Sequence, residues 1–277
     1  MTVGAALRQG TQLLEEARTG AARLTAEVLL SHALNRDRVY LYAHSDEELS
    51  ERAWIHYGRY LHERINGKPT QYITKQQEFY GRPFRVSPSV LIPRPETEHV
   101  VETVLRLASK AHHVLDVGCG SGAIAVTLAL EMPAAHVSGT DISAAALLVA
   151  AENAARHQAA VHLLQCDLSA AIASHSMDVL ACNPPYVPEQ DRANLQVEVR
   201  DFEPGIALYG GPTGVEIYQR LIPEAARVLK PGGWLIVELG YRLLPGVRAL
   251  LGSGWGNVED VADLAGIPRV LAAQYQP

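Results

Sequence analysis

Val114-Leu-Asp-Val-Gly-Cys-Gly-Ser-Gly122 is a short apolar run that breaks into a turn with three glycines, and residues 123–130 after it are nearly all apolar. Strand, glycine turn and helix in that order open a β–α unit. The glycines at 118, 120 and 122 permit a tight turn and let a ligand come close to the main chain. Their spacing is G-x-G-x-G, so the turn lacks the G-x-G-x-x-G of dinucleotide binders. It also lacks the lysine of a triphosphate-binding loop, and Cys119 stands where a nucleophile elbow needs its first glycine.

The alternation continues beyond this unit. Strands are expected at 135–140, 161–165, 178–182 and 234–238, with others near 258–261 and 270–274. Helices are expected at 144–155, at 215–229 closed by Lys230-Pro-Gly-Gly233, and near 243–251. Repeated β–α alternation implies an α/β fold with a mostly parallel, doubly wound sheet. Upstream, residues 1–66 read as a small helical domain. Leu13, Leu14 and Ala17 mark one apolar stripe, and Leu24, Val28, Leu29 and Ala33 a second. A third helix starts after Ser50 and carries Trp54, Tyr57, Leu61 and Ile65, with Gly67 and Pro69 ending it. Residues 67–95 form a linker. It comprises a hairpin around Gly81-Arg82, then Pro88-Ser-Val-Leu-Ile-Pro-Arg-Pro95, whose prolines favour extended chain. That segment is either a rigid spacer or one wall of a pocket. Residues 96–277 form the main domain.

In open parallel sheets ligands bind at the carboxyl ends of the strands, near the point where strand order reverses. Asp141 ends the next expected strand, 23 residues after Gly118, where a carboxylate can accept from both hydroxyls of a ribose. Asp167 follows the third strand and can accept from an adenine amino group, with Leu168 beside it to pack on the base. Asp116, before the turn, suits an amino group or a positive charge better than phosphate. The ligand is then an adenosine without a pyrophosphate, a description that S-adenosylmethionine meets. The competing reading has the glycines as a structural turn only, with Asp141 and Asp167 capping helices.

Cys182-Asn-Pro-Pro-Tyr186 leaves the fourth strand. Pro184 and Pro185 offer carbonyls and no N–H groups, and Asn183 can turn its side-chain oxygen to the same side. This donor-poor cluster can grip an NH2 group by both hydrogens, and Tyr186 can lie against the planar group. An amide nitrogen held in this way is aimed at an electrophilic methyl, and the charge growing on it is stabilised. The plainer alternative is a proline turn with a satisfied asparagine.

Composition narrows the classes. Among 277 residues, Lys and Arg number 24 and Asp and Glu 30, a net charge of −6. That balance disfavours bulk binding of nucleic-acid backbone, which depends on neutralising phosphates. The three cysteines, Cys119, Cys166 and Cys182, lack metal-ligand spacing, so no metal and no disulfide framework are expected. No apolar run approaches membrane length, and a cytoplasmic, reducing environment is expected.

With those residues in view, the chain resembles class I S-adenosylmethionine-dependent methyltransferases that act on planar NH2 groups. Leu91-Ile-Pro-Arg-Pro-Glu-Thr-Glu98, Gln71-Tyr-Ile73, Glu78-Phe-Tyr-Gly81, Phe202-Glu-Pro204 and Gly210-Gly211 narrow the resemblance to the HemK-type family, the peptide chain release factor glutamine N5-methyltransferases. The resemblance spans nearly the whole chain. It implies a Rossmann-like sheet with a C-terminal antiparallel strand. The helical N-terminal domain is expected to dock the protein substrate, from its position beside the proline segment and the need to select one glutamine. The resemblance implies that the substrate is the glutamine of the Gly-Gly-Gln loop of release factors. It assigns Gly118, Cys119, Gly120, Ser121, Gly122, Asp141, Leu168 and Asn183 to the cofactor, beside Asp167 from the strand pattern. It assigns Asn183, Pro184, Pro185 and Tyr186 to the amide, the first two as the catalytic pair. No nucleic acid is required on this reading. Alternatives on the same chemistry are a ribosomal-protein glutamine or the N6 of adenine in nucleic acid. One departure stands out: the family usually has glycine where Lys75 stands.

Overall fold

The computed structural model describes all 277 residues. The chain divides into two compact units, Met1–Gln76 with Gln196–Phe202, and Gln77–Leu195 with Glu203–Pro277.

The first unit is helical: α1 (Val3–Glu16), α2 (Ala22–Leu34), α3 (Arg38–Ala43), α4 (Glu51–Ile65) and α5 (Thr70–Thr74). Caps follow local chemistry. Ser50 Oγ accepts from Ala53 N at 3.2 Å, and Asp37 Oδ1 from Tyr40 N at 2.9 Å, each meeting an N–H the helix cannot pair. The buried stripe of α1 is Val3, Ala6, Leu7, Gly10 and Leu14, so Leu13 is exposed, as is Leu24 on α2. Both were expected inward. Leu13 lies about 100° around the helix from buried Leu14 and so falls off the face that meets the core. The unit runs ten residues past the expected boundary at 66, because α5 buries Tyr72 and Ile73. Residues 196–202 join it through an ion pair of 2.6 Å from Arg64 to Glu198, and through Val197 and Phe202 against Gly67.

The second unit begins with the hairpin β1 (Gln76–Phe79) and β2 (Arg82–Arg85). It continues through α6 (Glu98–Ala108), β3 (His113–Val117), α7 (Ala123–Glu131), β4 (His136–Asp141), α8 (Ala144–His157), β5 (Val161–Gln165) and β6 (Met177–Cys182). After the short strand β7 (Val187–Pro188) and the helix α9 (Val197–Phe202) of the first unit, it resumes with β8 (Tyr209–Gly211), α10 (Glu216–Val228), β9 (Leu229–Glu238), α11 (Leu244–Arg248), β10 (Trp255–Ala262) and β11 (Pro268–Tyr275). Seven strands form one sheet in the order β10-β11-β9-β6-β3-β4-β5. The pairs β9-β6, β6-β3, β3-β4 and β4-β5 are parallel, and β11 is antiparallel to both neighbours. The doubly wound sheet with a reversed C-terminal strand is therefore present.

Strand residues alternate between two cores. Val114, Val179 and Ile236 pack with Phe79, Phe84, Val101 and Leu128, whereas Leu115, Leu180 and Leu235 pack with Tyr218, Leu221 and Val228. Both faces are covered, which is why the strands are near-continuous apolar runs. Lys230-Pro-Gly-Gly233 does not end the element before β9. It forms an irregularity within the strand, between the pairs Met177–Leu229 and Val179–Trp234. The last helix is shorter than expected, five residues rather than nine.

Candidate active site

The chain moves outward from β3 through β4 to β5, then returns to the other side of β3 as β6. The carboxyl ends of β3 and β6 therefore flank the reversal point, where ligands bind in such sheets. A cleft of about 280 Å³ opens there. Its lining draws on the ends of β3, β4, β5 and β6, and on the extended segment before α6.

The glycine turn forms one wall. Gly118 and Gly120 have φ of +69° and +53°, and a side chain on Gly118 would meet only open space. Its lack of a side chain serves backbone conformation and access. Gly122 differs: a Cβ there would lie 3.2 Å from Ala150 Cβ, so it permits α7 to pack against α8. Asp141 braces the turn, accepting from Gly120 N at 2.9 Å through Oδ2 and from Ser143 N at 2.9 Å through Oδ1. Each oxygen keeps a lone pair for a ligand.

Leu168 reaches the cleft from a left-handed conformation, φ +48°. Such a φ costs a leucine roughly 1–2 kcal/mol. It is held by Thr140 Oγ1, which donates to Leu168 O at 2.8 Å. Asp167 also lines the cleft, and its carboxylate pairs with Arg220 at 2.6 Å. Arg220 is a lining residue that the pattern of strands did not reveal, since it comes from the middle of α10.

Of the expected site residues, Gly118, Cys119, Gly120, Ser121, Asp141, Asp167, Leu168, Asn183 and Pro185 line one cleft; Gly122, Pro184 and Tyr186 do not. Pro184 is buried, and Tyr186 stands behind the cleft with its hydroxyl on Glu238 Oε1 at 3.1 Å. Asp116 is a correction. It is wholly buried, Oδ2 accepts from Ala125 N at 3.0 Å and Oδ1 has no partner, so it braces α7 and does not meet a ligand. Burial raises its pKa to about 7, offset in part by the Ala125 N–H and reinforced by Asp141. Burial likewise pushes the Cys119 thiol up.

The proline segment is a wall and not merely a spacer: Ser89, Val90, Leu91 and Pro93 face the cleft. Buried Glu203 fixes it, accepting from Ile92 N at 3.2 Å and pairing with Arg94. Thr97 stands at the N-cap position of α6. It makes no capping bond there; its hydroxyl donates to Glu238 Oε2 at 2.6 Å, and Glu98 accepts from Tyr80 N instead.

The Asn183 amide donates through Nδ2 to Thr97 Oγ1 at 3.0 Å, which leaves Oδ1 without a protein partner. Close contacts hold the segment after it. A Cβ on Gly210 would fall 2.5 Å from Pro185 O, and one on Gly240 would fall 2.7 Å from the Tyr186 ring. Only glycine lets these loops approach so near. Nothing in the local sequence around 210 or 240 announces that role.

Residues 5–74 match the PrmC N-terminal domain model, and residues 97–200 match the methyltransferase small domain. Release factor glutamine methyltransferase of Koribacter versatilis is 46% identical over 99% of both chains. The chain belongs to the release factor glutamine methyltransferase family. Family members in Geobacter sulfurreducens and Bacillus anthracis are 42% and 35% identical, over 91% and 100% of this chain and 89% and 100% of theirs. Solved structures add likeness of fold alone. A methyltransferase from Pyrococcus furiosus superposes with a TM-score of 0.56 at 19% identity, over 79% of this chain and 100% of that one. The 16S rRNA N2 G1207 methyltransferase of Thermus thermophilus gives 0.53 at 20%, over 73% and 50%.

Proposed function

We propose that the chain transfers a methyl group from S-adenosylmethionine to the side-chain amide nitrogen of the Gly-Gly-Gln glutamine in peptide chain release factors. The observation that carries this is the free Oδ1 of Asn183, on the wall of a cleft whose other walls suit an adenosine. The lining fits the cofactor. Gly118 and Gly120 leave the main chain open to close approach, Asp141 has acceptor capacity left for ribose hydroxyls, and Leu168 and Ile142 offer apolar surface to a base. Asp167, already paired with Arg220, would receive an amino group with its remaining lone pairs. The cofactor supplies a methyl on a positively charged sulfur.

The residues' part is positional and electrostatic. A glutamine amide is a weak nucleophile because its lone pair is delocalised. On this reading Asn183 Oδ1 accepts from one of its hydrogens and the Pro184 carbonyl, from a buried residue between the lining residues Asn183 and Pro185, accepts from the other, and the two stabilise positive charge developing on nitrogen. Pro185, with no N–H to compete, forms the adjoining wall. Alignment of reacting groups is worth on the order of 7–11 kcal/mol in well-oriented systems. Tyr186 supports the segment from behind through Glu238.

Mass spectrometry of purified release factors after incubation is expected to find one added methyl on the Gly-Gly-Gln peptide, unaffected by nuclease. Label on nucleic acid or ribosomal protein, with none on the release factor, defeats the reading. Asn183→Ala is expected to abolish turnover and leave partner binding largely intact. The helical unit docks the substrate on this reading, within the cytoplasm, where translation occurs. Removing residues 1–66 is expected to raise KM for the release factor far more than for the cofactor; equal effects would leave it a folding scaffold.

A further inference from the structure

We infer that Glu238 and Thr97 are positioning residues that set the direction of a hydrogen-bond chain and so make Asn183 present an acceptor, not a donor, to the substrate amide. This rests on the reading of Asn183 given above. Asn183 Nδ2 donates to Thr97 Oγ1 at 3.0 Å, Thr97 Oγ1 donates to Glu238 Oε2 at 2.6 Å, and the Tyr186 hydroxyl donates to Glu238 Oε1 at 3.1 Å. Every donor points toward one carboxylate. An ionised carboxyl is acceptor-only, so it forces the Thr97 proton toward itself and leaves the Thr97 lone pair for the Asn183 NH2. The asparagine cannot then turn its NH2 into the cleft without losing that bond. Nothing in the local sequence connects the three residues: Thr97 precedes α6, Asn183 follows β6 and Glu238 ends β9.

The arrangement has a proton-linked consequence. The groups facing the Glu238 carboxyl are Thr97 and Glu96 from the turn before α6, Tyr186 after β6, Cys182 at the end of β6, Tyr218 on α10 and Arg269 on β11. Burial raises the carboxyl to about 7; the Thr97 and Tyr186 bonds and Arg269 oppose this, and Glu96 adds to it. Protonation turns one oxygen into a donor toward Thr97 or Tyr186. Thr97 then loses its obligatory acceptor, its proton becomes available to Asn183 Oδ1, and the amide can reverse. The competent form is the carboxylate, so turnover falls as pH drops below about 7.

The test compares the full-length wild type with Thr97→Val, Thr97→Ser and Glu238→Gln. It measures kcat and KM on a release factor from pH 6 to 9, melting temperature, and calorimetric affinity for S-adenosylmethionine. Thr97→Val is expected to lose about a hundredfold in kcat, as misaligned reactants do, with cofactor affinity within about twofold of wild type. Thr97→Ser, which keeps the hydroxyl, restores most of the rate. Glu238→Gln lowers kcat and flattens the acid limb seen in wild type. Wild-type kcat in Thr97→Val, equal loss in Thr97→Ser, or an unchanged acid limb in Glu238→Gln each overturns the inference while the substrate reading stands. If Thr97→Val fails to melt cooperatively, the pH profiles of Thr97→Ser and Glu238→Gln decide. A wild type that leaves the release factor unmodified overturns the substrate reading and this inference with it.

Discussion

At residue scale, Asp141 does two jobs at once. Its oxygens hold the glycine turn and the start of α8, and their remaining lone pairs border the cleft. Hydrogen bonds to a charged partner are worth about 1.5–3 kcal/mol. Asp141→Asn is therefore expected to weaken S-adenosylmethionine binding by roughly ten- to a hundredfold in calorimetry; unchanged affinity would remove Asp141 from the ribose. Lys75 caps α5 with φ +60° and ψ +27°, a left-handed conformation that favours glycine. The left-handed region costs a lysine about 1–2 kcal/mol, and glycine loses about 0.5–1 kcal/mol of that advantage to chain entropy. Lys75→Gly should thus raise unfolding free energy by up to about 1.5 kcal/mol in urea titration, and a lower midpoint would contradict the strain argument. Asp141 could be read from spacing alone. The strain at Lys75 could not, since a lysine carries no local sign of a positive φ.

At the scale of elements, the proline segment shows why a pattern can name a shape without naming its use. Three prolines dictate extended chain, but whether it spans or lines is decided by a partner more than a hundred residues away. Glu203 supplies that partner, fixing Ile92 N and Arg94. Breaking a buried ionic contact leaves a charge or donor unmet; because Arg94 remains partly exposed, the cost is moderated to about 2 kcal/mol. Glu203→Ala is expected to lower stability by that amount in urea and to weaken cofactor binding through residues 89–93. Loss of stability with affinity intact would mean that the wall does not contact the cofactor. The glycines at 210 and 240 teach the same lesson, since the carbonyl and ring they accommodate are brought in by other loops.

Over the whole molecule, pH dependence of stability follows from buried acids. Asp116 ionises near its ordinary 3.8 when unfolded and at about 7 when folded. Between those values the folded state keeps a proton that the unfolded chain has released, so this residue's contribution to stability falls as pH rises from about 4 to 7. Asp116→Asn removes that slope. Relative to wild type, the ligand-free variant is expected to gain melting temperature from pH 5 to pH 8; parallel curves would show that Asp116 is already ionised in the fold. No helix is long and apolar enough to cross a membrane.

The sequence by itself determined the alternation of strands and helices, the glycine turn, the acidic strand ends and the donor-poor Asn183-Pro184-Pro185 segment. Each of these is written in local periodicity or in the chemistry of neighbouring residues. Only the tertiary structure decided that Asp116 turns inward, that Thr97 serves Glu238 instead of a helix end, and that Arg220 and the proline segment close the cleft. Those outcomes depend on which side chains from distant strands meet in a low-dielectric interior, where a buried polar group must find its partner wherever the packing supplies one.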